Sequence, residues 1–234
     1  MNDDVDNTER LAGIAESSLR GGSSLVASVG VSTVINGAGS IILARLLGPS
    51  DYAAYGLALV LTLLLTHFAT LGIDTAIVRY IPKLREEGRT EDALGVFRTG
   101  VVLRVTVALA FSVGAYLSSD WFAAVVLARP ELGQLVRLAS LAIFFEAIFW
   151  LAFYALQGLE SPGMGGVVKL VQVIVKVVLA VLLILYGLGI VGALAGYIAG
   201  FVVSAVVGAV ILAQRARSLS VDGNCLLYTS PSPR

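Results

Sequence analysis

Any chemistry in this chain must come from a few ionisable side chains set inside long apolar runs. Glu146 lies near the middle of LVRLASLAIFFEAIFWLAFYALQGL (135–159), and Lys176 near the middle of VVKLVQVIVKVVLAVLLILY (167–186). A charge at such depth in hydrocarbon is costly, so it marks a polar pathway or a buried pair. The short link Glu160–Gly166 makes the two runs an antiparallel hairpin and sets both side chains at similar depth, so an ion pair is the first reading. Lys169, Gln172 and Lys176 fall at i, i+3 and i+7, one helical face that must look into a bundle or a wet cavity. Structural glue and substrate contact are both open for that face. His67, the one His, is a candidate proton-coupling group, set against the plainer role of a packing residue. Arg104 sits about two turns inside its run, where it can snorkel to the interface.

Other spacings speak of packing. Ser28, Ser32, Asn36 and Ser40 recur in steps of four, as do Thr62, Thr66 and Thr70. Such hydroxyl stripes join helices through bonds worth ~0.6 kcal/mol each. Gly192, Gly196, Gly200, Ser204 and Gly208 form a close-packing face of small residues. The motifs of enzymes are missing: there is no phosphate loop ending in Lys-Ser/Thr, no HExxH and no GxSxG. The expectation is a protein that is not an enzyme and holds no metal or other cofactor.

The elements that must carry these residues follow from composition. Of 234 residues, 57% are hydrophobic and 14% charged, and the mean hydropathy is +0.89. Soluble domains carry roughly a quarter charged residues, so a soluble globular domain, a disordered chain and a basic nucleic-acid binder are all excluded. The 16 basic and 16 acidic residues balance, so net charge names no partner. An all-α, polytopic membrane protein remains, since a spanning helix needs ~20 mostly apolar residues. Six runs qualify, at about 23–44, 52–73, 99–119, 135–159, 167–186 and 190–213, within a lobe covering 23–217. Gly187-Leu188-Gly189 marks a tight turn between the last two, and Trp121–Ala128 is too short to cross. Residues 1–22 form a polar, acidic tail without the basic start of a signal peptide.

Orientation follows from Lys and Arg, which short cytoplasmic loops retain. With the N-terminus inside, nine basic residues (Arg10, Arg20, Arg79, Lys83, Arg85, Arg89, Arg98, Arg215, Arg217) face the cytoplasm, against Arg45, Arg129 and Arg137 outside. Most of the excess lies in the connection 74–98, read as a topology signal, with lipid-headgroup binding as the alternative. There Thr90 is expected to cap a helix, with Glu91 and Asp92 in its first turn, that runs on into the third span.

The segment 218–234 ends in Cys225-Leu-Leu-Tyr-Thr-Ser-Pro-Ser-Pro-Arg234, which back-translates to a sequencing-adapter read-through. The expectation is that 225–234 is an artefact and that the natural chain is longer. On that view the one Cys, Cys225, carries no redox meaning.

Three stretches carry a family likeness: ILARLLGPSDYAAYGLALVL (41–60), LGIDTAIVRYIPKLREEG (71–88) and the hairpin beginning LQGLESPGMGGVVKL (156–206). Together they resemble the Wzx-like polysaccharide-export flippases of the multidrug/oligosaccharidyl-lipid/polysaccharide exporter superfamily, over nearly all of 20–217. The resemblance implies the N-terminal lobe of a two-lobe transporter, whose C-terminal lobe is missing here. It implies alternating access that moves a polyprenyl diphosphate-linked glycan across the plasma membrane of a prokaryote. It also suggests that cationic cavity residues hold the diphosphate, with Arg45 and Arg79 in matching segments. Arg104 and Lys176 are added by depth, and Lys169 and Gln172 by their shared face. Partners would be the lipid-linked glycan and membrane lipids, with no nucleic acid. A drug or small-cation antiporter of the same superfamily is the near alternative. An unpaired Glu146 would favour it, and a cationic cavity would favour the glycan lipid. A membrane glycosyltransferase or polymerase would need a large outer loop with catalytic acids, and a non-transporting scaffold is a further class.

Overall fold

The computed structural model describes residues 2–70, 72–159 and 161–226, with side chains over 22–214 apart from 71, 85, 86, 90 and 160. Residues 227–234 of the adapter-like tail lie outside the described residues, as do the side chains of 1–21.

Among the described residues every regular element is helical: α1 (Asn2–Thr70), α2 (Ile73–Glu86), α3 (Thr90–Leu117), α4 (Ser119–Trp121), α5 (Gly133–Gly158), α6 (Pro162–Leu183) and α7 (Gly189–Leu226). Four stretches are long and apolar enough to cross a membrane: Gly22–Leu84, Glu91–Leu117, Pro130–Gly158 and Pro162–Gln214. Helices are the expected answer, because backbone polar groups in hydrocarbon must be satisfied within their own segment. The outer surface carries large apolar side chains such as Val26, Val34, Phe68, Val102 and Val206, the reverse of a soluble domain.

Two of the four stretches are not single rods. In α1, Gly48 takes φ 78° and ψ 169°, a conformation open to glycine, and Pro49 then starts a new helix without wasting a donor. Packing partners give the directions. Ser24 meets Gly163, Ser28 meets Gly166 and Gly39 meets Val177, so the first part of α1 runs parallel to α6. Beyond Gly48, Thr62 donates to the Ala139 carbonyl (3.0 Å) and Thr66 to Glu146 (3.5 Å), so the second part runs parallel to α5. Phe153 packs on Gly165, which makes α5 and α6 antiparallel. The chain therefore reverses at Gly48. In the Pro162–Gln214 stretch, Gly187 (φ 90°), within a π turn at Ile184–Leu188, and Gly189 (φ 51°) just after it make the expected turn.

The helices α6 and α7 then pack as a close pair. A Cβ on Gly200 would lie 2.8 Å from the Gln172 carbonyl oxygen, and one on Gly192 2.9 Å from the Leu183 carbonyl carbon. Gly208 continues the face against Ala152 of α5. The small-residue stripe is thus a contact surface along its whole length.

The connection 74–98 differs from its sequence expectation, because most of it is helix. In α2, Ile73, Ile77 and Ile81 recur once per turn and bury against Leu151 and Ala155 of α5. Gly72, at φ 73°, allows the bend that brings α2 there. Helix α3 runs unbroken from Thr90 to Leu117 as expected, but its flanking cap position is Arg89 rather than Thr90, with no side-chain cap bond. Arg89 instead holds the first-turn acid, its Nε 2.8 Å from Asp92 Oδ2. Between α3 and α5, α4 and a π turn at Phe122–Val126 form a short piece that ends at Ala128 (φ 53°).

The close α6–α7 approach predicts the effect of bulk. Gly200→Leu should lower the thermal unfolding midpoint of the detergent-solubilised protein, by a cost of ~1–3 kcal/mol. Gly30→Ala, with nothing within 4 Å of the new methyl, should not. Equal midpoints for both variants would contradict the packing described.

Candidate polar cavity and its charged residues

The second part of α1 turns its Thr stripe toward α5, and α5 answers with Glu146, Trp150 and Tyr154, spaced one turn apart on one face. Past the Gly72 bend, the first turns of α2 close the third side with Asp74 and Arg79. The space between them is a cavity of about 620 Å³, which His67 and Gln157 also line. It sits toward the ends of α1 and α5 that lead to residues 72 and 159.

Glu146 is buried and has no ion-pair partner among the described residues. Its carboxylate accepts from three neutral donors: the Trp150 indole N–H (3.4 Å), the Tyr197 hydroxyl (3.2 Å) and the Thr66 hydroxyl (3.5 Å). The direct Glu146–Lys176 pair of the sequence reading is not formed. Lys176 Nζ instead donates to Asn36 Oδ1 of α1 and lies 5.8 Å from the Tyr197 ring centroid. Tyr197 of α7 stands between the two charges, its ring against the ammonium and its hydroxyl on the carboxylate. The sequence reading missed this because it paired α5 with α6 alone and left out α7.

The rest of the α6 stripe also faces inward. Lys169 Nζ lies 4.9 Å from the Trp150 ring centroid and 5.3 Å from that of Phe149. Gln172 is buried against α7 at Gly200. His67 is exposed at the cavity, and its Nδ1 lies 2.8 Å from the Leu63 carbonyl. A carbonyl only accepts, so Nδ1 carries the proton in the neutral ring.

Arg104 overturns its expectation. It does not snorkel but is fully buried, with Nη2 3.5 Å from Asp74 Oδ2. The reason is α2, which places a counter-charge beside it inside the bundle. Among the described residues nothing hydrogen-bonds to the guanidinium or to Asp74 Oδ1, so the pair is a charge contact rather than a bidentate fork. Asp74 was missed by the sequence reading. Its signal is an acid in the first turn of a helix whose isoleucines recur every four residues.

Arg45 is the residue the structure does not bring to this group. It is exposed one turn before Gly48. A straight helix from Pro49 to Thr70 is ~33 Å long, which separates it from the cavity end. Arg79 is exposed and lines the cavity directly. Among the described residues no three His, Cys, Asp or Glu side chains are grouped to hold a metal ion.

A family model described as polysaccharide biosynthesis protein matches residues 18–226, nearly the whole chain. No curated protein and no solved structure matches it.

The buried pair gives a test of the site's framework. Asp74→Asn strands a guanidinium and should cost ~3–5 kcal/mol, whereas Arg104→Met with Asp74→Leu should recover most of the loss. Unfolding in detergent measures both. Equal stability of Asp74→Asn and the parent would show that the pair carries no weight.

Proposed function

The chain belongs to the polysaccharide biosynthesis protein family, that of the Wzx-like flippases, and from that premise we propose that it exports a lipid-linked glycan by alternating access. The family match over 18–226 carries this reading. The bundle is one lobe of the transporter and works against a second. Six passes belong to this reading, supported by the reversals at Gly48 and at Gly187-Leu188-Gly189 within two of the four apolar stretches. It lies in the plasma membrane of a prokaryote with its N-terminus cytoplasmic, which puts the cavity in the cytoplasmic half, where a substrate loads before export.

In this reading Arg79 meets the diphosphate of the carrier, since it lines the cavity and has no ion-pair partner among the described residues. Two positive charges attract a diphosphate strongly where the dielectric is low, and Lys169 supplies the second. Arg104 acts through Asp74 rather than on the ligand. Lys176 and Gln172 hold α6 against α1 and α7. Glu146 and His67 are the groups that exchange the coupling ion. Arg45, at the far end, serves release or topology. The protein moves its substrate without making or breaking a bond in it.

One observation favours the second reading, a multidrug or small-cation antiporter: Glu146 has only neutral partners. Against it stands Arg79, a guanidinium in the lining of the same cavity with no ion-pair partner among the described residues.

Two measurements test these proposals. In a Cys225→Ser background, single cysteines at Ser50, Ser118 and Gly187 should label from outside, and those at Glu87 and Ser161 only after permeabilisation. Any other pattern rejects the six-pass topology. In cells lacking their own exporter, the intact protein should restore surface polysaccharide, and Glu146→Gln should reduce it at least tenfold. Restoration of drug efflux without polysaccharide would instead select the antiporter.

A further inference from the structure

Helix α2 presents two faces. Ile73, Ile77 and Ile81 are buried against α5. Thr75, Arg79 and Lys83 recur every four residues along the other side and are exposed, with Tyr80 half-exposed at its edge. The contacts of α2 with α3 fix how this face lies along the bundle. Asp74 meets Arg104, and Ile73 and Ile77 lie against Gly100, so α2 and α3 form an antiparallel hairpin. Level with the start of α2, Leu103 of α3 and Phe68 of α1 expose large apolar side chains, the lipid-facing belt. Arg79 and Lys83 follow Asp74 by five and nine residues, ~8 and ~14 Å along the helix. The exposed face of α2 therefore leaves the apolar belt and enters the headgroup layer.

The charges are sorted along the same hairpin. From Ile73 to Arg85 the one acid is Asp74, which is buried and faces Arg104. Glu86, Glu87, Glu91 and Asp92 lie at the tip, where Gly88 (φ 73°) turns the chain. Arg89 holds two of them there, with Nη1 3.6 Å from Glu87 and Nε 2.8 Å from Asp92. Lys83 has one ion pair, to Glu87 at 3.9 Å, exposed on both sides and therefore worth little. A topology signal needs only that basic residues stay in the cytoplasm. It needs neither a single face, nor an aromatic ring at the apolar border, nor acids held at the far end. We infer that the outer face of α2 binds the headgroups of anionic phospholipids in the cytoplasmic leaflet, with Arg79 and Lys83 on the phosphates and Tyr80 at the border of the hydrocarbon. An acidic protein segment would match the charges but leave the interfacial ring unused. Arg79 also lines the cavity, so a bound phospholipid steadies the helix that forms the cavity's third side. The inference rests on the six-pass reading, which puts α2 at the cytoplasmic surface.

Native mass spectrometry of the detergent-solubilised protein tests this, with titrations of phosphatidylglycerol, phosphatidylcholine and polyprenyl diphosphate. Phosphatidylglycerol should be retained more tightly than phosphatidylcholine. Lys83→Gln should weaken it about fivefold, the ~1 kcal/mol of one basic residue near an anionic surface, and Lys83→Arg should restore it. Arg129, an exposed basic residue between α4 and α5, is the control, and Arg129→Gln should change nothing. Hydrogen exchange in nanodiscs gives a second measure. The α2 amides should be better protected in phosphatidylglycerol than in phosphatidylcholine, and Lys83→Gln should remove the difference. Equal retention of the two phospholipids, or equal loss in Lys83→Gln and Arg129→Gln, overturns the lipid surface and leaves the six-pass and flippase readings standing. Loss of polyprenyl diphosphate alone in Lys83→Gln gives the face to the carrier and overturns it as well. A cysteine at Glu87 that labels from outside overturns the topology and the lipid surface together.

Discussion

Hydrocarbon offers no water to a buried polar group, and the inner arrangement of this bundle follows from that one constraint. Each charge in the apolar runs has to find its counterpart on another helix. Glu146 draws donors from α1, α5 and α7. Lys176 reaches across to Asn36 of α1 and rests against Tyr197 of α7. Arg104 finds Asp74 on α2. The polar side chains therefore act as registers that fix which helix faces which, while the apolar surface is left free for lipid. A buried pair such as Arg104–Asp74 adds little net stability over an apolar substitute, yet it is costly to half-remove.

Close approach is the second condition, and the glycines supply it. Gly196 packs directly on Ala180 of α6, and its neighbour Tyr197 is the residue set between Lys176 and Glu146. A larger residue at 196 would push α7 outward and withdraw the hydroxyl from the carboxylate. Gly163 and Gly166 do the same for α1, bringing Ser24 and Ser28 against α6 and carrying Asn36 to the depth of Lys176. The stripe that reads as mere packing thus sets the electrostatics of the centre.

What the sequence disclosed and what it hid divide along physical lines. Periodicity and hydropathy depend on local spacing, so the inward face of Lys169, Gln172 and Lys176, the Gly187–Gly189 turn and the small-residue stripe were all legible. The Glu146–Lys176 pair was not, because it depends on a third helix far along the chain. Depth alone put the two charges side by side; Tyr197, 51 residues beyond Glu146, intervenes. Arg104 failed for a related reason. Its position near a helix end suggested an escape to water, and only the fold of α2 reveals an acid within reach. That helix was itself masked by the basic residues Arg79, Lys83 and Arg85, whose topology signal hides the weaker isoleucine repeat beneath them.

Glu146 is the point at which these strands meet. Its neutral donors come from α1, α5 and α7, and one of them, Tyr197, also contacts Lys176. Hydrogen bonds to a carboxylate are roughly twice as strong as those to a neutral acceptor. Removing the charge from Glu146 therefore weakens its hold on Thr66 of α1 and on Tyr197 of α7 together, and frees Tyr197 to shift against the ammonium of Lys176. The cavity face of α5, with Trp150 one turn away and bonded to the same carboxylate, feels that change. The charge state of Glu146 and the position of the Trp150 ring are thus energetically linked through one side chain, and by reciprocity each alters the other.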